Sequence, residues 1–367
     1  MAATRSDTVR RRPGRMAQYL GGLFESEPGV RQSFELGFAA MNACNWEEAI
    51  EYFRRAVTET TGEGVVALLN LIGVCNYTLG RPDDALRDFE QSARLGEECD
   101  DRQGKSRALG NIGLICQYRG ELDRALEHLE EALAIAREAG DCWAEAIHLG
   151  HVGNVCHDRG DFNRALDCYR EALTVSRDIG DQRGEATHLA SIGRVYHDQG
   201  KLDRALLHYE EALAISREIG DRWGVASNLG NIGSICRDRG SLDEAPEFEN
   251  EALAMARELG HQLGIATDLG NIGLILKDQS EHEQAVPKLA EALTILLASG
   301  VADGPRQTLT GLAGCEDNLG RKRLTELLKQ AGSEEGAITD LFDRIDQIRM
   351  KRPEPSRNLP AQLQPVG

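Results

Sequence analysis

"LGNIGLICQYRG" occupies residues 109–120, and its first five letters return unchanged at 229–233 and 269–273. The offsets, 120 and 40 residues, are multiples of one period. Laid out in forties, the chain aligns with itself from about residue 61 to residue 300. Gly73, Gly113, Gly153, Gly193, Gly233 and Gly273 fall in one register, and Ala85, Ala125, Ala165, Ala205, Ala245 and Ala285 in a second. A third holds Ser92, Ala132, Ala172, Ala212, Ala252 and Ala292. Self-similarity at a period of 20–50 residues identifies a stacked-repeat solenoid.

Each unit carries two helical patterns. In "RALEHLEEALAIAREAG" the residues Ala125, Leu126, Leu129, Ala132, Leu133 and Ile135 follow three- and four-residue steps and form one apolar stripe. Leu109, Ile112, Gly113 and Cys116 do the same in the preceding segment. Gly120 and Gly140 end the two helices in positions that suit the left-handed conformation, and Asp141, Asp181 and Asp221 follow as caps for the next helix. The small residues in the fixed columns let helices approach: Gly113 and Ala125 within a hairpin, Ala132 between units. The Leu, Ile and Gly of LGNIG are thus core residues.

Sixty acidic against 42 basic side chains give a net charge of −18, which argues against nucleic acid or an anionic membrane as partner. Residues 1–15 are an exception, a basic arm with Arg5, Arg10, Arg11, Arg12 and Arg15 against Asp7. No apolar run approaches the roughly 18–20 residues of a membrane span, and no signal-peptide core follows Met1. The expected location is the cytoplasm, with an organelle transit peptide as the minority reading of the Arg-rich start. The nine cysteines form no CxxC pair; Cys116, Cys156 and Cys236 share a register with Tyr196 and read as buried hydrophobes, not as a disulfide framework or zinc site.

These residues resemble the tetratricopeptide repeat: a Gly, an Ala twelve later and a small residue seven beyond that, with Leu or Ile before the Gly. The resemblance covers about residues 30–300, with seven repeats beginning near residues 30, 66, 106, 146, 186, 226 and 266. "FELGFAAMNACNWEEAIEYFRRAV" supplies the earliest through Leu36, Gly37, Ala49, Phe53 and Ala56. The forty-residue units are similar to the long-repeat subclass of Pins-type adaptors, kinesin light chains and bacterial signalling proteins. The resemblance implies an all-α fold, a right-handed superhelix of about seven repeats with a degenerate C-terminal capping helix pair. The expected divisions are an arm over 1–29, the solenoid over 30–305, the capping repeat over 306–332, an amphipathic helix over 333–350 and a disordered Pro-rich tail over 351–367. Departures are Pro246 and Pro287 in the last two second helices, and Ser280 in place of the interhelix Gly.

In the family, first helices line the concave groove. By that resemblance Asn111, His151, Ser191, Asn231 and Asn271 form one row, and Leu114, Asn154, Arg194, Ser234 and Leu274 a second. The first row is polar throughout, which suits an open hydrogen-bonding surface, and an Asn amide supplies both the donor and the acceptor a peptide backbone needs. The competing use is to satisfy a carbonyl of a neighbouring helix. Asp158, Asp198, Asp238 and Asp278 recur at the ends of first helices, where the helix dipole disfavours them. Each follows His157, His197, Arg237 or Lys277, so pairing between repeats or contact with a ligand is expected, the former preferred.

Nothing here reads as an enzyme. GNIG sits within a helical stripe and lacks the strand and Lys-Ser/Thr ending of a phosphate loop. His148 with His151, and His157 with Asp158, imitate metal sites, but successive repeats lie about 10 Å apart, too far for His148 and His188 to share an ion. No metal or cofactor is expected. The expected function is a non-catalytic adaptor holding an extended peptide or helix of another protein, with Asn111, His151, Asn154, Ser191, Arg194, Asn231, Arg237 and Asn271 as the groove residues. The alternatives are a scaffold that self-assembles through its ends and a ligand-responsive regulatory module.

Two terminal stripes remain. Met16, Tyr19, Leu20, Leu23 and Phe24 share a helical face, as do Ile338, Leu341, Phe342, Ile345 and Ile348. Either can cover an end of the stack, and the second can instead enter the groove as a removable inhibitor. "LFDRIDQIRM" is also faintly similar to the start of a GoLoco motif, which in Pins-type adaptors binds inhibitory G-protein subunits. Its Asp-Gln-Arg ending is replaced here by Lys351, Arg352 and Pro353.

Overall fold

The computed structural model describes Gly22, Phe24 and residues 27–299 and 305–350. The basic arm, most of the 16–24 stripe and the 351–367 tail lie outside the described residues. Among those described, there are seventeen α-helices and no strand. In order they are α1 (Pro28–Asn42), α2 (Trp46–Val57), α3 (Glu63–Thr78), α4 (Pro82–Glu98), α5 (Arg102–Tyr118) and α6 (Leu122–Ala139). There follow α7 (Cys142–Asp158), α8 (Phe162–Asp178), α9 (Gln182–Asp198), α10 (Leu202–Glu218), α11 (Arg222–Asp238) and α12 (Ala245–Glu258). The last are α13 (Gln262–Asp278), α14 (His282–Ala298), α15 (Pro305–Leu319), α16 (Arg321–Gln330) and α17 (Glu335–Met350). The chain divides into two compact units, residues 1–235 and 236–367.

In the first unit each odd-numbered helix packs on the next even one, as α3 on α4, α5 on α6, α7 on α8 and α9 on α10. Odd helices also touch their counterparts in the next hairpin, α3 with α5, α5 with α7 and α7 with α9, so first helices form one closely set row. The fixed glycines make the hairpins possible. A Cβ on Gly113 would stand 2.6 Å from Leu129, and one on Gly153 would stand 2.6 Å from Tyr169. Ala125, Ala132, Ala165, Ala172, Ala205 and Ala212 are fully buried. Asp141 and Asp221 accept the cap bonds from Ala144 and Gly224 at 3.0 and 3.3 Å; Asp181 occupies the same N-cap position without making that bond. Phe24 is buried against Phe34, their rings 5.3 Å apart, so one residue of the first terminal stripe joins this core.

The second unit carries the two prolines. Pro246 sits in the first turn of α12, which starts late and runs 14 residues where α10 runs 17. Pro287 lies inside α14, where its nitrogen cannot donate to the helix. Ser280 adopts φ +67°, taking the left-handed turn that Gly120, Gly160 and Gly200 make in other hairpins. The apolar stripe of α17 settles a question the sequence leaves open: Ile338, Leu341, Phe342 and Ile345 are buried in one core with residues of α14, α15 and α16. Arg321 lies over the Phe342 ring at 4.3 Å. This stripe closes the end of the helix stack. It does not enter a groove.

Candidate functional site

The residues of the first unit that the sequence assigns to a groove, Asn111, His151, Asn154, Ser191, Arg194 and Asn231, are half-buried on their first helices. On α5, Arg107, Asn111, Leu114 and Tyr118 follow one another along one side at helical spacing. Equivalent half-buried positions hold His151 and Asn154 on α7, Ser191 and Arg194 on α9, and Asn231 on α11. The buried neighbours Leu109, Ile112 and Gly113 anchor each turn in the hairpin and fix which way the polar residue between them points.

The row is not uniform in what its side chains do. Asn111 and Asn231 make no hydrogen bond within the chain among the described residues. Ser191 donates its hydroxyl to the carbonyl of Thr187 at 3.0 Å, one helical turn back. Asn154 is engaged as well: its Oδ1 accepts from the Tyr169 hydroxyl at 2.7 Å and from Arg194 Nη2 at 2.9 Å, and Arg194 also donates to the Tyr169 oxygen at 3.2 Å. Burial pushes the Tyr169 phenol up to about 12, so it keeps its proton for that bond. Asn154 and Arg194 are therefore brought together across two repeats by a core tyrosine.

Two members of the acidic row, Asp158 and Asp198, pair between repeats, whereas Asp278 meets the adjacent Lys277 of its own helix at 2.8 Å. Gln117 Nε2 donates to Asp158 at 2.6 Å and His157 Nε2 to Asp198 at 2.6 Å. The neighbouring carboxylates of Asp158 and Asp198 raise the His157 pKa against the effect of burial, and the His157 bond lowers that of Asp198. Burial pushes Asp158 up, but the bonds from His157 and Gln117 outweigh it.

In the second unit Arg237 binds Asp238 through Nε and Nη2 at 3.2 and 3.0 Å. Asn271 lies on α13 next to the carboxyl of Glu249 and weighs on its ionisation.

Sequence reasoning missed a buried polar column one turn before this row: His148, His188 and Asn228 in the first unit, Asp268 in the second. Nε2 of His148 stands 3.0 Å from Ser106 Oγ, whose own proton goes to the carbonyl of Ala132, so the histidine nitrogen is the donor. A Cβ on Gly110 would meet the His148 ring at 2.6 Å, and one on Gly150 the His188 ring at 2.9 Å. The first glycine of LGNIG therefore seats a histidine of the next repeat. Where the column shortens to Asn228, the seat residue in the same register is Ala190. This size match was the available signal. Also missed was Tyr118, 49% exposed and edge-on to Tyr77 at 6.4 Å, an aromatic surface on the same side of the helices as Asn111.

Stacked antiparallel helix pairs with glycine seats and a half-polar face on the first helices define an α-solenoid of helical hairpins. The chain belongs to the tetratricopeptide-repeat proteins: the MalT-like TPR region family matches residues 97–267, and the Tetratricopeptide repeat family matches residues 34–102. No curated protein sequence matches the chain significantly. Among solved structures, the apo form of the quorum sensor NprR from B. thuringiensis is 16% identical, with a TM-score of 0.62 over 85% of this chain and 87% of that one. Aspartyl phosphate phosphatase F from Bacillus subtilis is 13% identical, with a TM-score of 0.59 over 99% and 98%. A Rap protein complexed with competence and sporulation factor is 16% identical, with a TM-score of 0.55 over 88% and 98%. At these identities the likeness is one of fold. Among the described residues no helix is long and apolar enough to cross a membrane.

Proposed function

We propose that the chain is a non-catalytic interaction module that holds a segment of a partner protein along the uncovered side of its first helices. The observation that carries this reading is the pair Asn111 and Asn231: two amides at equivalent positions, half-buried, with no hydrogen bond inside the chain among the described residues. A half-buried amide left without a protein partner loses part of its hydration and gains nothing, whereas a passing peptide group satisfies its donor and its acceptor together. Asn154 and Arg194, already bonded to each other, hold their part of the surface rigid and add to the reading as walls. Tyr118 offers an aromatic face on which a partner side chain can rest.

A module that responds to an effector peptide is a specialised form of the same reading. It is favoured by the fold likeness to a quorum sensor and to a protein solved with competence and sporulation factor. The test is affinity capture from lysate with wild type and with Asn111→Ala combined with Asn231→Ala, after equal melting temperatures have been established. A protein retained by wild type and lost by the double variant supports the reading. Retention of every captured protein by both places binding elsewhere.

A further inference from the structure

In six hairpins the second helix contributes a bulky apolar or aromatic side chain that rests on the glycine of its own first helix. Phe53 rests on Gly37, Phe89 on Gly73, Leu129 on Gly113, Tyr169 on Gly153, Tyr209 on Gly193 and Leu289 on Gly273. In α12 this column holds Glu249. Its side chain is fully buried and neither carboxyl oxygen makes a hydrogen bond of normal geometry; the Asn271 amide beside it offsets only part of the cost of burial. Across the packed α12 and α13 helices stands Asp268, itself 6% exposed, in the column that holds histidine or asparagine in earlier repeats.

Two acids thus share an interface with no base devoted to either. The charged and polar groups that weigh on Glu249 are Asp268 and Asn271 from α13 and Arg237 from the end of α11. Arg237 is spent on Asp238, and its Nη1 is buried without a partner. Burial is what raises Asp268, and no charged group of α14 or α15, both packed on α13, weighs on either acid among the described residues.

We propose that the interface between α12 and α13 is a proton-operated joint: protonated Glu249 and Asp268 hold it closed, and loss of their protons loosens it together with the Asn271 segment of the binding face. This goes beyond the proposed function and does not depend on it. An ionised carboxylate without a partner in a buried site is costly, so the closed interface keeps the neutral form. Burial pushes Asp268 up to about 7; burial, and then repulsion from Asp268, push Glu249 well above the ordinary carboxyl range. The Asp268 step of the transition therefore falls near neutral pH.

The direction follows from linkage. Below the ordinary carboxyl pKa both the closed and the open chain carry the protons, and the joint has its full stability. As pH rises above that value the open chain releases protons that the closed one retains, so closure weakens steadily until Asp268 itself ionises near 7. The same argument applies to Glu249 across its own raised range.

Hydrogen exchange measured on the full chain between pH 5.5 and 8.5, corrected for the intrinsic pH dependence of exchange, tests this. Protection over residues 245–278 is expected to fall by about 10-fold or more between pH 5.5 and 7.5 in wild type. It should stay level when Glu249→Leu is combined with Asp268→Asn, which restores residue types found in these columns elsewhere. Should that pair fail to fold, Glu249→Gln alone must raise protection at pH 7.5 above that of wild type. Level protection in wild type, the same fall in the double variant, or no gain from Glu249→Gln would each overturn the proposal.

Discussion

His148 and Gly110 act as one packing decision. The imidazole is 4% exposed, hydrogen-bonded to Ser106 and pressed on the glycine, and burial brings its pKa down to about 4. A histidine held neutral in the fold contributes stability above its ordinary pKa of about 6.5, and that contribution drains away as pH falls towards 4. The first unit should therefore lose about 3 kcal/mol between pH 6.5 and 4 from this residue, and His148→Asn should flatten that slope in denaturant titrations. Gly110→Ala gains about 1 kcal/mol of helix propensity but overpacks the ring at a cost of about 1–3 kcal/mol. The net is expected to be destabilising in wild type and to reverse sign in a His148→Asn background. Additive effects of the two changes would remove the packing account. Little of this was legible in the sequence, because the ring on Gly110 comes from 38 residues further along and only the register connects them. The second glycine was legible, since Leu129 lies in its own hairpin and in the same periodic stripe.

At the scale of the helix, regularity reads easily and interruptions need the structure. Ser280 occupies the left-handed position that glycine takes at other turns, so Ser280→Gly should stabilise the second unit by about 1 kcal/mol, checked by equilibrium unfolding. No change would mean that this turn is already relaxed by its surroundings. The apolar face of α17 was visible as a three- and four-residue pattern, but a pattern names no partner. Its place on α15 and α16 depends on surfaces from two other helices. Removing residues 333–367 should strip Ile338, Leu341, Phe342 and Ile345 from the core at about 1.5–3 kcal/mol each as an upper bound. The expected result is an unstable, aggregating second unit, and a truncated chain of unchanged stability would contradict the packing described.

Across the whole molecule one design recurs with local edits. Repetition of small residues builds the hairpins, and variation in a few columns gives each hairpin its own chemistry: histidine in α7 and α9, asparagine in α11, and two acids in α12 and α13. The acid-sensitive and base-sensitive sites lie in different units, so the pH of greatest stability reflects both. The all-α repeat fold was legible because a 40-residue period leaves few alternatives. The proposed binding face was legible only as one polar row beside a mixed one, and the distinction between Asn111, which makes no bond among the described residues, and Asn154, tied to Tyr169 and Arg194, depended on side-chain reach. The measurement that tests the central claim most directly is titration of the captured partner's shortest binding segment against wild type and against Asn111→Ala combined with Asn231→Ala. Two amides that each bond a peptide group should make the double variant bind about 10-fold or more weakly at unchanged stability. Equal affinity would contradict the account and leave the asparagines without a role in binding.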